Sequence, residues 1–171
     1  MYIGEETANF MPFARYDNKM SASCVFCKIV SGDIPACKVY EDDVSIVFLD
    51  NGPLFPGHCL VAPKLHVETL ADLPPSLVQP IFANAQLIAR AVERGLSADG
   101  SFVAVNNRIS QSVPHLHVHV VPRRKKDGLK GFFWPRQPYR DEDEKALVLS
   151  ALRSAVKDLK TEMATLYSHP D

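Results

Sequence analysis

The sequence has little that would set it apart from ordinary globular proteins, and each shortage excludes something. Net charge is nearly absent: 19 Lys and Arg stand against 20 Asp and Glu, so no global basic field exists to hold nucleic acid. Any anion must therefore be met by a local site. No stretch approaches the ~20 apolar residues of a membrane span, and the opening MYIGEETANFMPFARYDNKM lacks a signal peptide's basic start and apolar run. A cytoplasmic protein without membrane or nucleic-acid partners is the expectation. Four cysteines in 171 residues are too few for a disulfide scaffold, and a close pair in a cytosolic chain points to metal or redox chemistry. Histidine is also scarce, at six residues, yet three of these fall within five positions.

What is present is ordinary in amount. Apolar residues are 46% and charged ones 23%, which fits a folded protein rather than a fibrous or disordered one. The length suits one domain, at ~100–200 residues each. Residues 1–22 show no apolar period and read as a flexible arm, residues 23–140 as the domain, and residues 141–171 as a helical extension. In the arm, Phe10, Met11 and Phe13 could dock on a surface.

Within the domain, an apolar run reaches Val30 and a turn follows at Ser31-Gly32-Asp33. Strands are expected over 38–41, 44–50, 58–63, 102–107 and 115–121, from their β-branched and aromatic content and the Gly/Pro/Asp punctuation between them. Leu77, Ile81, Ala85, Ile88 and Val92 recur at steps of three and four, which predicts a helix ending near Gly95 with Ser76 as its N-cap. Val148, Leu152, Val156, Leu159, Met163 and Leu166 form a second stripe, with Asp141–Glu144 placing negative charge at its N-terminal end. Several strands, one helix between them and one after them predict an α+β fold on an antiparallel sheet.

The strongest signal is Gln111-Ser112-Val113-Pro114-His115-Leu116-His117-Val118-His119-Val120-Val121. Alternate strand positions share a face, so His115, His117 and His119 line one side while Leu116, Val118 and Val120 pack on the other. Three uses of such imidazoles are open: surface residues on an edge strand, ligands converging on a metal, or a nucleophile with neighbours that orient it and meet the leaving group. Gln111 and Ser112 supply an amide and a hydroxyl suited to phosphate oxygens, which favours the nucleophile.

The segment QSVPHLHVHVV resembles the histidine triad (HIT) motif. The segments CVFCKIVSGDIPACKVYEDD, VFLDNGPLFPGHCLVAPKLH and VNN stand upstream in the family's order, so the resemblance spans about residues 24–122. It implies the HIT-like fold, a five-stranded antiparallel sheet with a long helix, which dimerises into a ten-stranded sheet. It also implies a hydrolase or transferase acting on a nucleotide of adenosine or guanosine type, with His117 attacking the α-phosphorus, passing through a nucleotidyl-histidine, and releasing a nucleoside monophosphate. The carbonyl of His115 would orient His117, His119 would contact the phosphate or leaving group as acid, and His58 would complete the histidine network. Asn106, Gln111 and Ser112 would serve the phosphate, Asp50 the ribose hydroxyls, and Phe26, Ile29, Ile34, Phe48 and Leu49 the base. Dinucleoside polyphosphates and nucleoside phosphoramidates are both open as substrates, as is a binding protein with little turnover.

The sequence departs from the common pattern between Asn106 and Gln111, where Asn107-Arg108-Ile109-Ser110 replaces the Gly-rich loop of many members. Cys24 and Cys27, alone, are weak evidence for metal. In a subset of the family such a pair binds structural zinc with the His of PKxH and the first His of the triad, here His66 and His115. A closed Cys2His2 set would fix structure rather than activate water, and no organic cofactor is implied. Cys37 and Cys59 are read as small core residues. Residues 122–140 carry seven Lys or Arg against one acid, with Phe132, Phe133, Trp134 and Tyr139 interleaved, which suits either a second nucleoside with its polyphosphate or a loop anchored by its aromatics.

Overall fold

The computed structural model describes residues 20–129, 139–144 and 146–154. The chain divides into two compact units between Gly128 and Leu129. The second is helical over 142–144 and 146–154, where Leu147, Leu149 and Leu152 are exposed. The arm's Phe10, Met11 and Phe13, the aromatics Phe132, Phe133 and Trp134, and the C-terminal stripe from Val156 onward lie outside the described residues.

In the first unit the elements run α1 (Val25–Ser31), β1 (Lys38–Glu41), β2 (Ser45–Leu49), β3 (Cys59–Pro63), a short 3-10 turn (Leu70–Asp72), α2 (Pro75–Leu96), β4 (Gly100–Val105) and β5 (Val118–Arg123). The five strands form one antiparallel sheet in the order β1-β2-β3-β5-β4, which agrees with the α+β expectation.

Both faces of the central strands are buried. Val47, Cys59, Val61, Val118 and Val120 meet Leu77, Ile81, Ala85, Ile88 and Val92 of α2 on one side. Ile46, Phe48, Leu60 and Ala62 meet Phe26 and Cys27 of α1, and Cys24 just before it, on the other. Each fully buried aliphatic or aromatic side chain contributes roughly 1.5–3 kcal/mol, so α2 is held chiefly by this stripe. Asn84 adds a polar tie, donating from Nδ2 to Asp42 Oδ2 at 2.6 Å and Ser45 Oγ at 2.9 Å.

Three local expectations are corrected, and one stretch that the sequence leaves without an element gains one. Helix α2 starts after Pro74, with Pro75 in its first turn, so Ser76 lies inside the helix rather than capping it. The run up to Val30 is helical. Seven residues are too few to show a period, and α1 is stopped by Gly32 at φ 87°. Regular pairing of β5 begins at Val118, because the Leu116 amide bonds instead to Val67 O at 2.7 Å. Cys37 is exposed, as it precedes an edge strand whose residues are all exposed, whereas Cys59 is buried as expected.

Candidate functional site

The histidine segment crosses the middle of the sheet on the α1 side. Leu116, Val118 and Val120 point into the α2 core, which turns His115, His117 and His119 the other way. Alternation therefore holds even though the first two histidines precede the regular strand. Phe26 of α1 packs edge-on against His115, His117 and Phe48, with ring centroids 5.7, 5.2 and 5.2 Å apart.

His117 is buried, and its Nδ1–H donates to the main-chain oxygen of His115 at 2.7 Å. A carbonyl can only accept, so Nδ1 carries the proton and Nε2 keeps its lone pair. His119 lies beside it, with ring centroids 4.7 Å apart. His119 Nδ1 is 3.0 Å from His58 Nε2, and His58 Nδ1 is 3.5 Å from Asp50 Oδ2. The other Asp50 oxygen accepts the Gly52 amide at 2.8 Å. Among the described residues, the buried Nε2 of His119 has no hydrogen-bond partner.

Burial favours the neutral form of His119 and His58. It pushes His119 down to about 4, helped by His117 and His58, and lowers His58 against the opposing pull of Asp50. Gly57 places His58 by adopting φ 95°, and a Cβ there would collide with the Leu96 side chain.

Cys24, Cys27, His66 and His115 bring their ligand atoms within 4.8 Å of one another. A tetrahedral zinc with Zn–N of ~2.0–2.1 Å and Zn–S of ~2.3 Å requires N–N edges of about 3.3 Å and N–S edges of about 3.5 Å. Here the two Nδ1 atoms are 3.3 Å apart, Cys24 Sγ is 3.5 Å from His115 Nδ1, and Cys27 Sγ is 3.3 Å from His66 Nδ1 and 3.7 Å from His115 Nδ1. These spacings fit such an ion. The Nε2–H of His115 donates to Pro63 O at 2.9 Å, which leaves Nδ1 as its ligand atom.

The remaining expected residues are distributed unevenly. Phe26 and Phe48 are buried together, and Ile29 packs against them. Leu49 alternates to the opposite face, where it lines an apolar cavity of about 750 Å³ with Val39, Cys59 and Val92, away from the histidines. Ile34 is half-buried behind α1, its amide bonded to Lys28 O at 3.1 Å. Asn106 is half-buried just past β4. Gln111 braces its own loop: Oε1 accepts the Arg108 amide and Nε2 donates to Glu68 O, each at 2.7 Å. That bracing stands where a Gly-rich loop would otherwise be, and Arg108 and Ser110 take positive φ there. Ser112 is exposed and lines a cleft with Cys24, His66 and Glu68 at the edge of the Cys/His cluster. The sequence reading missed the carbonyl of Pro63 and the amide of Leu54, which donates to His58 Nδ1 at 3.3 Å. Backbone groups leave no side-chain signal.

A central-strand histidine cluster on an open antiparallel sheet, beside a Cys/His cluster, defines the class, and the comparisons agree. The HIT domain profile matches residues 31–126, and the chain belongs to the HIT family. It is 37% identical over 127 residues to adenosine 5'-monophosphoramidase of Schizosaccharomyces pombe, covering 73% of this chain and 92% of that protein. It is 40% identical over 120 residues to an adenylylsulfatase of Arabidopsis thaliana, covering 66% of this chain but only 61% of that protein. Among solved structures, a Zn-bound histidine triad family protein from Mycobacterium smegmatis is 46% identical, with a TM-score of 0.61, covering 78% of this chain and 97% of that one.

Proposed function

We propose that this protein hydrolyses nucleotides at the α-phosphorus through a covalent intermediate on His117. The observation that carries the reading is the hydrogen bond from His117 Nδ1 to its neighbour's carbonyl, which fixes a lone pair on Nε2. In the first step Nε2 bonds to phosphorus while the leaving group departs past His119. The imidazolium so formed is stabilised by the His115 carbonyl. Water then displaces His117 and releases a nucleoside monophosphate. Phe26, Ile29 and Phe48 would wall the base, Asp50 would take the ribose hydroxyls, and Asn106, Gln111 and Ser112 would serve the phosphate.

The relatives' names favour adenosine monophosphate derivatives with a small leaving group, an amine or sulfate. Of the basic–aromatic segment that favours dinucleoside polyphosphates, residues 130–138, with Phe132, Phe133 and Trp134, lie outside the described residues. Cys24, Cys27, His66 and His115 would hold a zinc ion, whose contribution is to tie α1 to the catalytic segment. Strand β4, which among the described residues pairs with β5 alone, would join a second copy to give the ten-stranded sheet of a homodimer. Among the described residues no helix is long and apolar enough to cross a membrane.

The test is turnover of adenosine phosphoramidate, adenylyl sulfate and diadenosine polyphosphates by wild type and His117→Ala. Wild-type hydrolysis of the first two, lost in the variant with nucleotide binding retained, is expected. Undiminished turnover by the variant would overturn the reading.

A further inference from the structure

We propose that the main-chain amide of Leu54, acting through His58, locks His119 as a hydrogen-bond donor toward the reacting phosphate. This rests on the reading of the site given above and deepens it by assigning a positioning role outside the histidines.

The direction of each hydrogen bond follows from the one group whose polarity is fixed. An amide N–H can only donate, so His58 Nδ1, 3.3 Å from the Leu54 nitrogen, must accept. A proton on Nδ1 would set two N–H groups against each other. Neutral His58 therefore carries its proton on Nε2, which faces His119 Nδ1 at 3.0 Å. His119 Nδ1 must accept in turn, which places the remaining His119 proton on Nε2. That atom is the buried nitrogen without a partner among the described residues, beside the His117 ring. A buried N–H left without an acceptor costs roughly 1–3 kcal/mol, and a phosphoryl oxygen or departing atom would satisfy it.

His58 has a competing partner. Asp50 Oδ2, 3.5 Å from the same His58 Nδ1, would draw a proton onto it, break the bond from Leu54, reverse the bond between His58 and His119, and leave His119 Nε2 as an acceptor. Such a lone pair would face phosphate oxygens and repel them. Leu54 selects between these states. Its side chain is 57% exposed, so its position in the chain, rather than its packing, carries the role. No proton transfer is part of this assignment. The Nε2–H of His119 stabilises charge as it develops, in the manner of a preorganised donor.

The test replaces the Leu54 amide by an ester, which removes the N–H and retains the side chain. Long-range proton–nitrogen NMR of the ligand-free protein at neutral pH reads the His119 tautomer. Wild type is expected to carry the proton on Nε2, and the ester variant to shift toward Nδ1. His58→Phe gives a second route, with the Nε2–H preference of His119 lost while His117 keeps its own. In turnover, the ester variant is expected to lose about tenfold or more with poor leaving groups and little with activated ones. A wild-type His119 protonated on Nδ1, or an ester variant with an unchanged tautomer, would overturn the proposal. These spectra need no substrate, so their failure is distinct from a failure of His117 as nucleophile.

Discussion

His115 joins two sites through opposite ends of one residue: its ring enters the Cys24, Cys27 and His66 cluster, while its carbonyl takes the Nδ1–H of His117 at 2.7 Å. Whatever fixes that ring also fixes the carbonyl that sets the tautomer of His117. A zinc ion held by these four residues would thus be linked to the proposed catalytic geometry through one residue, and its role there would be structural.

Metal analysis should follow from this arrangement. Purified wild type is expected to hold about one zinc per chain, and Cys24→Ser or Cys27→Ser to lose it. Chelation should lower the melting temperature, since an ion that binds only the folded state stabilises by RT ln(1 + [L]/Kd), about 4 kcal/mol at a thousandfold excess over Kd. With the His115 ring released, the carbonyl that holds the His117 tautomer should loosen, so turnover should fall in kcat as well as through stability. Stoichiometric zinc in Cys24→Ser would contradict the ligand set.

Stability should depend on pH through the buried histidines. The folded-state value of His119 is held down to about 4 by burial, below the ordinary ~6.5 of the unfolded chain. Below ~6.5 the unfolded chain takes up a proton that the folded protein does not. This contribution is therefore complete above ~6.5, is lost as pH falls toward 4, and levels off below that. His58 is shifted in the same direction. Denaturant titrations at intervals of pH should show the decline, and His119→Gln should flatten it. An equal slope in both proteins would refute the assignment.

The core makes its own prediction. Ile81, fully buried between α2 and the sheet, should cost about 2–5 kcal/mol as Ile81→Ala, read by chemical denaturation. Asn84→Leu should destabilise by roughly 1–3 kcal/mol, because Asp42 Oδ2 and Ser45 Oγ lose their donor. Exposed Val103→Thr should leave folding of the monomer within about 0.5 kcal/mol.

Much of this was legible in the sequence because the signals are periodic or chemically distinctive. The stripe from Leu77 to Val92 fixed the face of α2, and alternation from His115 to His119 fixed which side chains share a side. The Cys24, Cys27, His66 and His115 set, implied by family resemblance, converges in space. The misses have physical causes. Helix α1 is shorter than two helical periods, and it is held by packing rather than propensity. The resemblance groups Leu49 with Phe48 at the base, although neighbours along a strand face opposite ways and Leu49 lines the cavity on the other face. The chemistry of Gln111 suggests phosphate, but nothing in the sequence signals that its amide also braces the 106–111 loop against backbone groups. Pro63 and Leu54 act through backbone atoms that any residue type supplies.

The central claim is a bond between His117 and the nucleotide, and the stereochemical course at phosphorus tests it most directly. Hydrolysis of a nucleotide analogue with a chiral α-phosphorus should proceed with net retention, because attack by His117 and then by water inverts the centre twice. Net inversion would mean a single displacement by water, and would contradict the account.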